Sequence, residues 1–196
     1  MSAVPRMKER TPALRAQVLD GAMGLLATDG VDALTARRVA GAASTSVAAV
    51  YELFGDKGGL VREIFYEGFR ELAARFAELD ESDDPRRDLH AAMAAFRTFA
   101  NERPALVAVM FSRPFAEFAP TPADAAAGRQ VRRILLGLVR RAVEAGEARG
   151  DPTDLAHVLL ALAQGLAAQE AAGWLGTSKA SRDRRWRLAV DTVLAG

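Results

Sequence analysis

Cysteine is absent from all 196 residues, which excludes structural disulfides, Cys-ligated zinc and thiol catalysis together and fits a reducing compartment. Histidine is scarce. His90 and His157 lie far apart and stand in no HExxH or similar acid pairing, so each reads as a helix residue and no metal site is expected. No serine sits in a G-x-S-x-G elbow, and Gly55, Gly58 and Gly59 lack the GK[ST] spacing of a phosphate loop, so neither an enzyme nor a bound cofactor is expected. Long apolar runs are missing too: 155–169 contains His157 and Gln164 and ends at Glu170, short of the roughly 20 residues that cross a bilayer. The first ten residues carry Arg6, Lys8 and Arg10 and no apolar core of a secretory signal. These absences predict a cytoplasmic protein with no membrane partner. A period-two strand pattern is absent as well, so the chain is expected to be all-α, with about nine helices.

What is present is an ordinary globular composition, 50% hydrophobic and 26% charged, with a formal net charge of +1. Bulk charge therefore does not announce a nucleic-acid partner, but its distribution is uneven. Arg6, Lys8, Arg10 and Arg15 cluster at the N-terminal end, whereas 78–84 is mostly acidic and would be repelled by phosphate.

Four capping residues precede a proline, at Thr11-Pro12, Asp84-Pro85, Thr121-Pro122 and Asp151-Pro152, and each marks a helix start. After the first, Leu14, Val18, Ala22, Leu25 and Leu26 recur at helical spacing. A long helix is predicted from Asp56 towards Leu79, with further helices over 85–101, 104–112, 122–149, 151–173 and 180–195.

Between the first helix and the long one lies the segment from Leu34 to Phe54, which reads as two short helices joined by a tight turn. Thr35 would cap the first, burying Val39, Ala40 and Ala43. Ser46 would cap the second, turning Val50 and Phe54 inward and Val47, Ala48, Ala49 and Tyr51 outward. Two helices crossing over such a turn form a helix-turn-helix, whose second helix enters the DNA major groove. Small outward side chains let that helix approach base edges, with Ser46 hydroxyl and Val47, Ala48 and Ala49 methyl groups available for contact.

Leu34, Thr35, Val39, Ala40, Ala43, Ser46, Val50, Tyr51, Phe54, Lys57 and Leu60, at this spacing, resemble the TetR family of one-component transcriptional regulators. Ser44 and Thr45 depart from the family's Gly-Val before the capping serine. A non-glycine in a left-handed turn costs on the order of 1 kcal/mol. The resemblance implies that 1–55 is a three-helix DNA-binding head and 56–196 a helical bundle for ligand binding and dimerisation. It further implies that Thr35, Tyr51 and Lys57 hold phosphates. Arg38 is a further phosphate candidate, and Thr45 is a further DNA-binding candidate. The expected partners are double-stranded DNA, an apolar small-molecule effector and a second copy of the chain.

For the effector, the resemblance implies a cavity enclosed by the helices over 56–79, 85–101, 104–112 and 122–149. Phe65, Phe69, Met93, Phe96, Met110, Phe111 and Phe115 are the candidate lining. The segment 112–120, with Phe115 and Phe118, could cover its mouth or connect helices. Asn101 to Pro104, Met110-Phe111, Gln164-Gly165 and Glu170 to Gly176 look like a TetR subgroup with a Trp, His and Gly signature, except that Gln164 stands where that subgroup has His. For the dimer, Leu155, Leu159, Leu162, Leu166, Trp186, Val190 and Val193 on the last two helices are the candidate interface, as a four-helix contact between two chains. The implied function is a repressor leaving a near-palindromic operator when effector binds. The alternative is a helical small-molecule-binding protein with a vestigial head, motivated by Ser44, Thr45 and the near-neutral charge. The basic arm argues against that alternative.

Overall fold

The computed structural model describes residues 12–111 and 121–195; Arg6, Lys8, Arg10, Phe115 and Phe118 lie outside them. Ten α-helices and no strand occur among the described residues. They are α1 (Pro12–Asp29), α2 (Ala36–Ala42), α3 (Val47–Phe54), α4 (Lys57–Ala77), α5 (Pro85–Glu102), α6 (Pro104–Phe111), α7 (Pro122–Ala127), α8 (Arg129–Glu144), α9 (Pro152–Ala171) and α10 (Lys179–Ala195). A short 3₁₀ turn, Val31–Ala33, links α1 to α2.

The proline-led starts are real N-termini. Asp84, Thr121 and Asp151 each accept hydrogen bonds from backbone N–H groups of the turn they precede, and Thr121 with Asp124 forms a reciprocal capping box. The predicted helix over 122–149 is two helices, which is why ten replace nine. The break falls at Gly128, where an added Cβ would stand 3.2 Å from the Phe69 ring, and α8 closes at Gly146 in the left-handed conformation.

The apolar stripe of α1, Leu14, Val18, Ala22 and Leu26, packs with Leu34, Val39, Ala40, Val50 and Phe54 to form the core of the head. That core runs without a gap into the body through α4, which touches α1 and α3 at one end and α5, α6, α7 and α8 along its length. In the body, α5 lies against α8, α9 and α10, and α9 against α8 and α10.

Three polar ties cross this packing. Arg97 on α5 reaches Glu170 on α9 and Asp183 on α10, each at 2.7 Å, while the Trp186 indole N–H donates to Glu170 at 2.8 Å. Arg141 on α8 holds Asp88 at the start of α5 at 2.9 Å. Arg62 on α4 pairs with the nearly buried Asp124 of α7. Helix α6 contacts α1 directly, so the head touches the body at a second place besides α4.

Candidate nucleic-acid interface

The turn between α2 and α3 is set by backbone hydrogen bonds. Thr45 N–H donates to the Ala40 carbonyl at 2.9 Å and Ser44 N–H to the Gly41 carbonyl at 3.1 Å, the paired arrangement that closes a helix on a left-handed residue. That residue is Ser44, at φ 47°, so the position where the family pattern has glycine keeps its conformation with a side chain on it. Helix α1 braces the turn. The Gln17 side-chain amide donates to the Ala43 carbonyl at 2.8 Å, and Gly21 approaches so closely that a Cβ would lie 3.1 Å from Ala43 N.

The caps form as the residue pattern predicts. Thr35 Oγ1 accepts from Arg38 N–H at 3.3 Å and Ser46 Oγ from Ala49 N–H at 3.1 Å. Val50 and Phe54 are buried, and Val47 and Tyr51 stand 40% and 53% exposed. Ser46 and Ala48 are exposed, and Thr45 and Ala49 half-buried at the margin. One outward surface thus carries Ser46, Val47, Ala48 and Tyr51. Beyond it, Gly55 closes α3 at φ 76°, and Asp56 caps α4 by accepting from Gly59 N–H at 2.8 Å. A Cβ on Gly59 would fall 1.9 Å from the Phe54 carbonyl oxygen, so only glycine lets α4 begin this close to α3. Lys57 is exposed in the first turn of α4.

Two cations of this region are engaged by neighbouring groups. Arg38 is exposed but paired with Asp29. Arg15 bridges elements: Nη1 donates to the Leu53 carbonyl at 2.9 Å, Nη2 pairs with Glu63 at 2.8 Å, and the guanidinium lies 4.7 Å from the Phe54 ring centre. Arg15 is a clamp between α1, the end of α3 and α4. Sequence reasoning missed the bracing roles of Arg15, Gln17 and Gly59. Only the proximity of Gly59 to the motif hinted at one.

The described members of the predicted effector lining lie against one another. Phe65 and Phe69 stand 4.9 Å apart between ring centres, Phe69 and Phe111 5.5 Å, and Phe96 and Phe111 5.9 Å. Met93 and Met110 are buried, and Met110 Sδ would lie 2.5 Å from a Cβ on Gly68. These rings make edge and tilted contacts with one another. Among the described members of the set, Phe111 lines an apolar cavity of about 570 Å³, which lies between α5, α6 and α9, and Met93 edges a charged groove between α5 and α10.

The dimer candidates divide by helical phase. Leu159, Trp186 and Val190 are buried within the single chain, which takes them out of any exposed face. Leu155, Leu166 and Val193 are half-buried, and Leu162 is exposed, as are Val158 and Leu188, which sequence reasoning passed over. The histidines serve locally: His90 Nε2 lies 3.0 Å from Asp191 Oδ1 and His157 Nδ1 2.8 Å from the Thr153 carbonyl oxygen.

A braced helix pair that presents a bare, small-residue helix start between exposed Tyr51 and Lys57 defines a helix-turn-helix DNA-binding protein. Residues 18–64 match the family described as bacterial regulatory proteins, tetR family, and 89–193 match the tetracyclin repressor-like C-terminal domain. The chain belongs to the TetR family and is a DNA-binding transcriptional regulator. Among solved structures, it is similar to a Rhodococcus sp. RHA1 protein of unknown function at 30% identity and TM-score 0.79, covering 97% of this chain and 98% of that one. A tetR-family regulatory protein of Rhodococcus RHA1 matches at 20% identity and TM-score 0.72, over 93% and 98%. The regulator PfmR of Thermus thermophilus matches at 23% identity and TM-score 0.67, over 91% and 97%. No curated protein sequence matches the chain. Among the described residues no helix is long and apolar enough to cross a membrane.

Proposed function

We propose that the protein is a cytoplasmic, homodimeric repressor that holds a near-palindromic operator and leaves it when a small molecule binds the body. The carrying observation is the outward face of α3. Its first turn offers Ser46, Val47 and Ala48 with no long side chain to keep the helix from the bases, and Tyr51 and Lys57 flank it where phosphates would run. Thr35 caps α2 and leaves free N–H groups of its first turn for another phosphate.

Pairing through α9 and α10 accounts for the exposed Val158, Leu162 and Leu188, and two-fold symmetry places two copies of α3 about one DNA turn apart. Release follows from a population shift. A ligand that favours one arrangement of the body biases the head through α4 and through the α6 contact with α1, and DNA must weaken the ligand by the same factor.

The test is fluorescence anisotropy with duplex from upstream of the protein's own gene beside a scrambled duplex, at about 150 mM salt where non-specific binding is weak. Preference for the upstream duplex, lost in Tyr51→Ala, supports the reading. An effector that saturates the body and leaves operator affinity unchanged contradicts the release mechanism.

A further inference from the structure

The cavity between α5, α6 and α9 has a composition that selects a ligand. Its volume, about 570 Å³, falls among those of small-molecule sites. Ala100 of α5 lines one side, Pro104, Val107, Ala108 and Phe111 of α6 another, and α9 supplies the third. Of the eleven described residues that line it, ten have no polar side-chain atom, none is charged, and the exception is Gln164. Among the described residues the Gln164 side-chain amide takes no protein hydrogen bond. Alanine and glycine make up most of the α9 wall, so it is smooth and open: a Cβ at Gly165 would meet no atom within 4 Å.

We infer that this cavity binds an uncharged, largely hydrocarbon or aromatic molecule carrying one polar group, which exchanges a hydrogen bond with the Gln164 amide. A charged ligand would find no counter-ion among the described lining residues and would lose its hydration, a penalty these walls do not offset. Glutamine donates and accepts but does not titrate, so affinity is flat across neutral pH. The site lies on the opposite side of α6 from the head. Ala105 and Leu106 of α6 face Met23, Leu26 and Ala27 of α1 across a small cleft, and Pro104 borders both that cleft and the cavity. The regulatory consequence rests on the repressor reading; the binding chemistry does not.

The probe pair is N-phenylnaphthylamine, neutral with one N–H, and anilinonaphthalene sulfonate, the same rings with a fixed negative charge. Both are titrated against the full chain by fluorescence, without DNA, with oligomeric state followed by light scattering. The expected result is one saturable site per chain for the neutral probe, with affinity for the sulfonate weaker by at least about tenfold. Gly165→Leu, which fills the cavity, abolishes binding, and Gln164→Leu weakens it about threefold to tenfold with circular dichroism unchanged. Equal affinity for the two probes overturns the inference. So does neutral-probe binding that survives Gly165→Leu, or that occurs only on dissociation to monomers, which would make a second copy the occupant. If the probe binds as expected but a saturating amount leaves DNA affinity unchanged, the binding inference stands and the release mechanism fails.

Discussion

Arg15 on α1 donates to the Leu53 carbonyl at the end of α3 at 2.9 Å and lies over the Phe54 ring, holding the recognition helix by its C-terminal backbone as well as by a side chain. The same guanidinium pairs with Glu63 on α4, so one side chain fixes α3 against both neighbours. Arg15→Met keeps the packing on Phe54 and removes the polar bonds. Chemical denaturation is expected to show a loss of about 1 kcal/mol, because the ion pair is partly solvated and the carbonyl bond is the larger contribution. Glu63→Gln, which leaves the carbonyl bond intact, is expected to change stability by less than about 0.5 kcal/mol.

Ser44 holds φ 47° at a position that glycine occupies without strain. Ser44→Gly should therefore stabilise the protein by about 1 kcal/mol, which for a chain of this size raises Tm by about 2–4 °C. Ser44→Val should lower it. Thermal unfolding followed by circular dichroism at 222 nm, about the wavelength where helix dominates the signal, decides the sign.

Carboxylates organise the body and set its acid sensitivity. The Lys179 ammonium and the Arg97 guanidinium pull Asp183 down to about 2. Hydrogen bonds from Arg97, acting against burial and aided by the Trp186 indole, lower Glu170. For Asp88, burial is outweighed by Ser82 and Arg141, and for Asp124 by Thr121, Tyr66 and Arg62. A carboxyl whose pKa is lower in the folded chain contributes stability that is complete above its unfolded value and is lost as pH falls through the folded one. The urea midpoint should hold steady above pH about 5 and decline from about 4.5 towards 2. Arg97→Gln should flatten part of that decline, and an unchanged profile would remove the Arg97 network from the account.

Phosphate contact by Lys57 has a signature distinct from base readout. Lys57→Gln should weaken operator and scrambled duplex alike and reduce the slope of log affinity against log salt by about one unit. Ala48→Leu, which thickens the base-facing surface, should instead weaken the operator and spare the scrambled duplex.

Val158 and Leu162 are exposed at i and i+4 on α9, whereas Leu159, one residue away, is 1% exposed. Leu162→Asp should give a folded monomer by light scattering with its circular dichroism intact. Leu159→Asp should unfold the chain, because it places a charge in the core.

The head was legible in the sequence because each of its steps is local. Thr35 and Ser46 cap the turns that follow them, and Val39, Val50 and Phe54 fall inward by helical spacing alone. Helix starts were legible for the same reason, through Asp84, Thr121 and Asp151 before proline. What escaped depends on contacts between distant segments. What Phe69 and Phe96 touch depends on Phe111 from another helix, and Met110 lies over Gly68, contacts that no spacing encodes. The Phe69 ring that passes close to Gly128 comes from another helix, and Leu159 differs from Leu162 by which side of α9 meets α5, α8 and α10. Arg15 reads as one basic residue among several until Leu53 and Glu63 are brought beside it.

The central claim is that α3 reads a specific DNA sequence, and selection from a pool of fragments of the source genome tests it most directly. Wild-type protein and Tyr51→Ala are each bound to the pool at about 150 mM salt, with folding checked by circular dichroism. The account predicts enrichment of fragments sharing a near-palindrome whose half-sites lie about one helical turn apart, and no such enrichment with Tyr51→Ala. A folded wild-type dimer that enriches no sequence, or a Tyr51→Ala variant that enriches the same one equally well, would contradict it.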